Sequence, residues 1–78
     1  MPRYYIDTDD GDLNVRDERG EELPDRAAAR RIAIGVLPDM ARSALPDGDR
    51  RTFVASVRDE QGRTIFRARL SLTAGWVG

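Results

Sequence analysis

Two neighbouring segments that alternate between apolar and polar residues constrain the fold of this chain most. Successive side chains of a β-strand point to opposite faces, so each segment would present one apolar and one polar row. The segments span residues 51–58 and 63–73, and the loop between them ends in Gly62, which can adopt the left-handed backbone that a hairpin loop needs. The pattern predicts a hairpin whose apolar row is Phe53, Ala55, Val57, Phe66, Ala68, Leu70 and Leu72. The opposite row of its second strand is Ile65, Arg67, Arg69 and Ser71.

The first sixteen residues predict a second, weaker hairpin. Residues 3–8 would form one strand and residues 12–16 a shorter one. The dipeptide Asp10-Gly11 between them is typical of a type I′ turn, which needs positive φ at both central residues. The apolar residues expected to face inward are Tyr4, Ile6, Leu13 and Val15.

A helix is predicted over residues 25–45. The Asp25 carboxylate can cap it by accepting the backbone N–H of Ala28. Pro38 removes one helical hydrogen bond at a cost of about 3 kcal/mol in a regular helix, so we expect a kink near residues 35–38, or a short restart capped by Asp39. The Leu-Pro-Asp tripeptide at 45–47, followed by Gly48, predicts a turn. The apolar helical stripe is Ala29, Ile32, Ala33, Val36, Leu37, Met40 and Ala44.

The order hairpin, helix, hairpin predicts one small α+β domain over residues 1–78. Its fold would be a four-stranded antiparallel sheet with one kinked helix packed on one face. The predicted strands would lie in the order 2-1-3-4 if the third strand pairs with the first, and the order 1-2-4-3 remains open. A domain of this size buries only about 60% of its unfolded surface, and oligomerisation is a common remedy for so thin a core.

The composition excludes several kinds of chemistry. The chain has no cysteine and no histidine, and its 13 basic residues are all arginine, so disulfides, imidazole bases and Schiff-base lysines are excluded. The remaining acids fall mainly in turns, so we expect no catalysis and no cofactor. Residues 7–12 with Glu18 resemble a calcium loop, but glycine stands at position 5 instead of 6, and we expect no metal. The absence of cysteine fits a reducing compartment, so we expect a cytoplasmic protein, and we expect no membrane association because no apolar run approaches membrane-spanning length.

The charges are unevenly distributed along the chain. The net charge is −1, yet residues 1–25 carry −6 and residues 26–78 carry +5. A basic sheet face with an aromatic residue is typical of nucleic-acid binding. The alternative, a solvated face neutralised by Asp7 and Glu60, is favoured by the few aromatic residues. The candidate nucleic-acid face is Arg3, Tyr5, Arg58, Arg67 and Arg69.

A second stripe at helical spacing predicts a protein interface. It is offset from the core stripe, and a tryptophan beyond the last strand could serve as an anchor in a partner's pocket. The candidate interface is Ala27, Ile34, Ala41, Leu45 and Trp76. We therefore expect a small interaction module that binds another protein or itself, as in a homodimer, with nucleic-acid binding as the alternative function.

The order of the motifs resembles a family of short bacterial domains of unknown function. The resemblance extends from Met1 to about Leu72, and the sequence of motifs is more specific than any one of them. It implies no activity and no site residues. The motifs are Met1-Pro2-Arg3-Tyr4, Asp10-Gly11, Asp17 to Gly20, Glu22-Leu23-Pro24-Asp25 and the hairpin Val57 to Arg63.

Overall fold

The computed structural model describes residues 1–45 and 48–78. Within these two ranges, five strands and one helix follow one another, and they confirm the predicted α+β class. The turn predicted at residues 45–47 falls partly outside the described residues. In chain order the elements are β1 (Arg3–Asp9), β2 (Asn14–Val15), β3 (Glu21–Glu22), α1 (Arg26–Ala44), β4 (Arg50–Arg58) and β5 (Thr64–Thr73).

The sheet is antiparallel and has the strand order β2-β1-β4-β5. This is the predicted order 2-1-3-4, and the order 1-2-4-3 is wrong. The short strand β3 is an addition, because Glu21 and Glu22 pair with Tyr4 and Arg3 at the start of β1 instead of leading directly into the helix. Gly20 makes this return possible, since its φ of +71° lies in a region that other residues rarely adopt.

The helix covers the face of the sheet that carries Phe53, Ala55 and Val57, all of which are buried. Asp25 caps the helix as predicted, and its Oδ1 accepts the backbone N–H of Ala28 at 2.9 Å. The residues that α1 buries against the sheet are mainly small, which lets the helix approach closely: they are Ala28, Ala29, Ala33 and Leu37. Phe53 and Val57 are the largest fully buried side chains, and burial of Phe53 contributes about 2 kcal/mol of hydrophobic stabilisation.

The helix continues through Pro38 to Ala44 without interruption. A second helix that restarts at Asp39 is therefore wrong. The Asp39 carboxylate instead accepts a hydrogen bond from Arg42 Nη1 at 2.7 Å, one turn further along the same helix. No helix of the described residues has both the length and the apolar character required to cross a membrane.

Two predictions about the first hairpin are wrong. Leu13 and Val15 were expected to face inward, yet they are 61% and 48% exposed. The reason is that β2 has only two residues at the end of the sheet, while α1 lies mainly over β4 and β5. The turn at Asp10-Gly11 is also not type I′, because only Gly11 has positive φ, and the Asp10 carboxylate accepts the N–H groups of the following residues instead.

A β-bulge changes the predicted alternation at the start of β5. Val57 pairs with Phe66 and Arg58 pairs with Thr64, which leaves Ile65 without a partner in the ladder. The extra residue places Ile65 beside Ala27 on the helix side of the sheet. The prediction that Ile65 shares a face with the arginines of β5 is therefore wrong.

Candidate interaction surface

The sheet face opposite the helix, here called the outer face, is held together by an ion pair between Arg58 and Asp7. Arg58 is only 8% exposed. Its Nε and Nη2 donate to the two carboxylate oxygens of Asp7 at 2.6 and 3.1 Å, and Nη2 also donates to the backbone oxygen of Asp17 at 2.6 Å. The guanidinium carbon lies 4.9 Å from the centre of the Tyr5 ring. Arg58 is therefore fully engaged within the domain, and it fixes β4 and β1 to the turn at residues 17–20, here called the acidic turn.

The carboxylates of this network are held in their charged form. Burial raises the pKa of Asp7, but the hydrogen bonds from Arg58 and from the backbone of Asp17, with the charges of Arg58 and Arg16, outweigh it and leave the pKa below its ordinary value. Burial likewise raises the pKa of Asp17, and hydrogen bonds from backbone N–H groups lower it further than burial raises it. The hydrogen bond to Asp7 raises the pKa of Arg58, in spite of its burial. The network therefore remains charged at neutral pH.

The acidic turn is tied to β1 by side-chain to backbone hydrogen bonds. Asp17 Oδ2 accepts the backbone N–H of Ile6 at 3.0 Å, and Asp17 Oδ1 accepts that of Gly20 at 3.0 Å. In return, the Asp17 N–H donates to Asp7 Oδ1 at 2.8 Å. The negative charges of residues 1–25 are thus used partly to fix the turn. In the described residues, no group of three carboxylates is arranged to hold a metal ion.

The two cationic side chains of the outer face that extend from β5 have a different environment. The register places Asp7, Ser56 and Arg67 in one row across three strands, and Asp9, Val54 and Arg69 in the next. Acidic and basic residues are therefore separated by two strand spacings, roughly 10 Å. Arg67 and Arg69 are exposed, and no carboxylate of the described residues forms an ion pair with either. Positive charge on the outer face is concentrated at β5.

Strand β5 forms one side of the sheet, and no strand of the described residues pairs with its other side. Just beyond the last pair of the ladder, the Ala74 N–H donates to the Asp49 oxygen at 2.7 Å. Opposite residues of an antiparallel ladder alternate between pairs that exchange hydrogen bonds and pairs that do not. Every second residue back from Ala74 therefore bonds to β4, and the residues between them point their backbone N–H and C=O groups away from β4. These residues are Arg67, Arg69, Ser71 and Thr73. We call these groups the open edge.

Two grooves flank the open edge where α1 meets β5, on the helix side of the sheet. One encloses about 440 Å³ near the bulge and is lined by Arg26, Ala27, Arg30, Val57, Ile65 and Phe66. The other encloses about 310 Å³ and is lined by Ile34, Leu37, Pro38, Ala68, Arg69 and Leu70. Ile34 and Leu70 are 39% and 40% exposed, so the second groove offers an accessible apolar surface directly beside the edge.

The structure divides the candidate protein interface into three parts. Ala27 and Ile34 line the two grooves beside β5. Ala41 and Leu45 are partly buried against the core. Trp76 is fully exposed beyond the end of β5. The helical stripe therefore contributes its N-terminal half to the surface, while its C-terminal half widens the core contact.

The structure also separates the members of the candidate nucleic-acid face. Arg58 is enclosed by Asp7 and Asp17, and Tyr5 lies beneath it. Arg3 donates to the backbone oxygen of Arg19 and lies 3.7 Å from a carboxylate oxygen of Glu22. Of the five predicted residues, Arg67 and Arg69 remain exposed on the outer face, and no carboxylate of the described residues forms an ion pair with either.

The sequence pattern did not predict the open edge itself, nor a role at this surface for Ser71, Pro38 and Leu70, which form or flank it. The predicted strand order already placed the last strand at the side of the sheet. That strand is ten residues long and lacks the prolines and lysines that often protect sheet edges. This combination is the signal that would have indicated the surface.

Fold and surface together define a small α+β domain in which a helix covers one face of an antiparallel sheet, and a long strand with flanking grooves forms its side. A family model for a domain of unknown function, DUF6894, matches residues 3–71. The chain therefore belongs to that family, as the order of its motifs indicated. No curated protein gives a significant match, and no solved structure does.

Proposed function

We propose that this domain is a protein-interaction module that binds an extended segment of its partner along the open edge of β5. The observation that carries the proposal is the row of outward-pointing backbone groups at Arg67, Arg69, Ser71 and Thr73. An added strand gains main-chain hydrogen bonds from such an edge, and pockets beside the edge select its side chains. The grooves that contain Ala27 and Ile34 supply those pockets. The proposal assigns the domain no catalytic step.

A second copy of this chain fits the same edge less well. Antiparallel pairing of two β5 strands about an axis at Ala68 would place Arg67 of each copy opposite Arg69 of the other. An axis at Arg69 would place those two arginines opposite each other. Like charges directly opposite one another destabilise a sheet, so pairings centred on these two residues are disfavoured, and we propose a different protein as the partner.

Nucleic-acid binding is the second candidate function, and the exposure of Arg67 and Arg69 favours it. Asp7 and Asp9, however, lie on the same face, where they would repel a phosphate backbone that crosses the sheet. Binding that depends on counterion release would weaken steeply with salt, and Arg67→Ala would weaken it further.

A substitution at Ser71 tests the proposed function. Its N–H points away from β4, so Ser71→Pro removes one donor of the open edge without removing a ladder hydrogen bond. Ser71→Ala is the matched control, because both variants lose the hydroxyl that lies 3.2 Å from that of Thr52. The tagged full chain and both variants are used to recover partners from native-host lysate, with and without nuclease.

Each outcome distinguishes the two functions. The proposal expects a protein that is recovered after nuclease treatment by the wild type and by Ser71→Ala, but not by Ser71→Pro. Equal recovery by both variants would show that the partner does not use the edge. Recovery that is lost with nuclease would instead favour the nucleic-acid function.

A further inference from the structure

Building on the proposed function, we infer that the segment bound at β5 contains an acidic, an apolar and a second acidic residue in succession. The two acidic side chains would lie opposite Arg67 and Arg69 on the outer face. The apolar side chain between them would enter the groove beside Ile34. The partner is thus defined by its chemistry as an extended peptide that alternates carboxylates with an aliphatic residue.

The requirement for acidic residues follows from the two arginines of β5 on the outer face. An added strand continues the rows of the sheet, so its residues opposite Arg67 and Arg69 would share the face of those arginines. Arg67 Nε donates to Ser56 Oγ at 3.2 Å, so in the unbound domain its side chain leans over β4, and it would turn toward the added strand to meet a carboxylate there. An acidic residue in each position would supply the missing counter-charge, at the end of the face most distant from Asp7 and Asp9.

The requirement for the apolar residue follows from the groove on the helix side of the sheet. The residue of an added strand that lies between the two acids would be opposite Ala68 and point toward the helix. Ala68 is small, and the space beside it is bordered by Ile34, Pro38 and Leu70. A valine or leucine side chain would cover the exposed parts of Ile34 and Leu70 there. A charged or short polar side chain would leave this surface in contact with water.

The same geometry distinguishes the peptide from a nucleic acid. A phosphate backbone could approach Arg67 and Arg69, but it has no aliphatic side chain for the groove and cannot form a ladder with the open edge. Binding of the peptide class must therefore involve both the arginines and the outward N–H groups. Binding of an oligonucleotide would involve the arginines without the groove.

Three end-blocked peptides test the inference against the isotope-labelled full chain. The first is Thr-Val-Glu-Val-Glu-Val-Thr, the second replaces both Glu by Arg, and the third replaces the central Val by Ser. NMR titration measures the affinity of each, and amide hydrogen exchange shows whether the N–H groups of the open edge become protected. A dT15 oligonucleotide is titrated in parallel.

The expected result is that the Glu peptide binds about tenfold more tightly than the Arg peptide at low salt. This preference should diminish at high salt, because exposed charges are screened. The Ser-substituted peptide should bind several-fold more weakly than the Glu peptide. Protection should appear at Arg67, Arg69 and Ser71. The double variant Arg67→Glu/Arg69→Glu should bind the Arg peptide more tightly than the Glu peptide. Where these reversed charges impair folding, the milder double variant Arg67→Gln/Arg69→Gln is used instead, and it should bind the two peptides equally.

Other outcomes overturn the inference and leave the proposed function to be judged separately. Equal binding of the Glu and Arg peptides, lost in Ser71→Pro, would retain the edge as a binding site but refute the acidic partner. Failure of all three peptides, with a lysate partner that is sensitive to Ser71→Pro, would refute this chemistry alone. Tight dT15 binding through Arg67 and Arg69, or a dimer joined at β5, would refute it in favour of that other occupant.

Discussion

Arg58 of β4 and Asp7 of β1 form a close ion pair on the face of the sheet that the helix does not cover, with Nε and Oδ2 2.6 Å apart. Asp7 pairs in register with Ser56, so the arginine reaches back across the ladder from the end of β4. Its second nitrogen binds the backbone oxygen of Asp17. One side chain thus connects two central strands and the acidic turn, which are distant in sequence.

We expect Arg58→Ala to lower the free energy of unfolding by about 2 kcal/mol. The substitution leaves the partly buried Asp7 carboxylate without its partner and also removes the contact with the Tyr5 ring. Urea denaturation measures this loss, and the m-value should remain unchanged. Arg63→Ala is the control: the Arg63 side chain is 74% exposed in its ion pair with Asp59, so we expect a change within about 0.5 kcal/mol. Similar losses in both variants would contradict the special role of Arg58.

The lowered pKa values of Asp7 and Asp17 predict a stability that decreases in acid. When the folded-state pKa lies below the unfolded one, the stabilisation is complete above the unfolded pKa and is lost as the pH falls through the folded pKa. The free energy of unfolding should therefore decrease progressively between about pH 5 and about pH 2. Urea denaturation at a series of pH values measures this decrease.

Asp7→Asn identifies the origin of the acid effect. The variant should be less stable than the wild type at neutral pH, and it should lose less stability on acidification, because one titrating group has been removed. Glu18→Gln, in the exposed part of the same turn, is the matched control for the loss of one carboxylate and is measured over the same pH series. A wild-type slope in Asp7→Asn would exclude Asp7 as a source of the effect.

Gly20 is predicted to be the least replaceable glycine in the described residues. Its φ is +71°, and a β-carbon added there would lie 2.8 Å from Tyr5 Cε2 and 3.0 Å from the Tyr4 oxygen. Gly62 is the matched control, since its φ is +81° but an added β-carbon meets no described atom within 4 Å. Both changes to alanine introduce backbone strain of about 1–2 kcal/mol. Gly20→Ala should lose at least about 1 kcal/mol more than Gly62→Ala in thermal unfolding, owing to the steric clash. Equal losses would show that the turn relaxes without difficulty.

The parts of the fold that follow from local rules were predictable from sequence. The alternation of Phe53, Ala55 and Val57 determined the buried face of β4, and Asp25 was identified as the cap from its position before the helical stripe. The strand β3 and the exposure of Leu13 depend on where the helix ends over the sheet and on how the Asp17 carboxylate folds the turn back onto β1. Such long-range contacts leave no periodic signal in the sequence.

The same distinction applies to the surface. The pattern correctly placed Arg67 and Arg69 on one face, but it gave Arg58 the same status. Only the three-dimensional register shows that Asp7 and Asp17 enclose Arg58. Ile34 was identified from its spacing on the helix, whereas its neighbour Leu70 was assigned to the core. Whether an apolar side chain is covered depends on how far the helix extends across the last strand.

Replacement of Pro38 tests whether the helix carries strain beside the second groove. Proline lacks the N–H that would bind the Ile34 carbonyl, yet α1 continues through this position, so Pro38→Ala should raise the free energy of unfolding by about 1–2 kcal/mol. Gly35→Ala in the same turn is the matched comparison. An added β-carbon at Gly35 meets no described atom within 4 Å, and we expect a gain of about 1 kcal/mol. Thermal and urea unfolding measure both variants. A gain for Gly35→Ala together with a loss for Pro38→Ala would show that the proline ring stabilises the groove with Ile34 and Leu70 by more than the hydrogen bond that it removes.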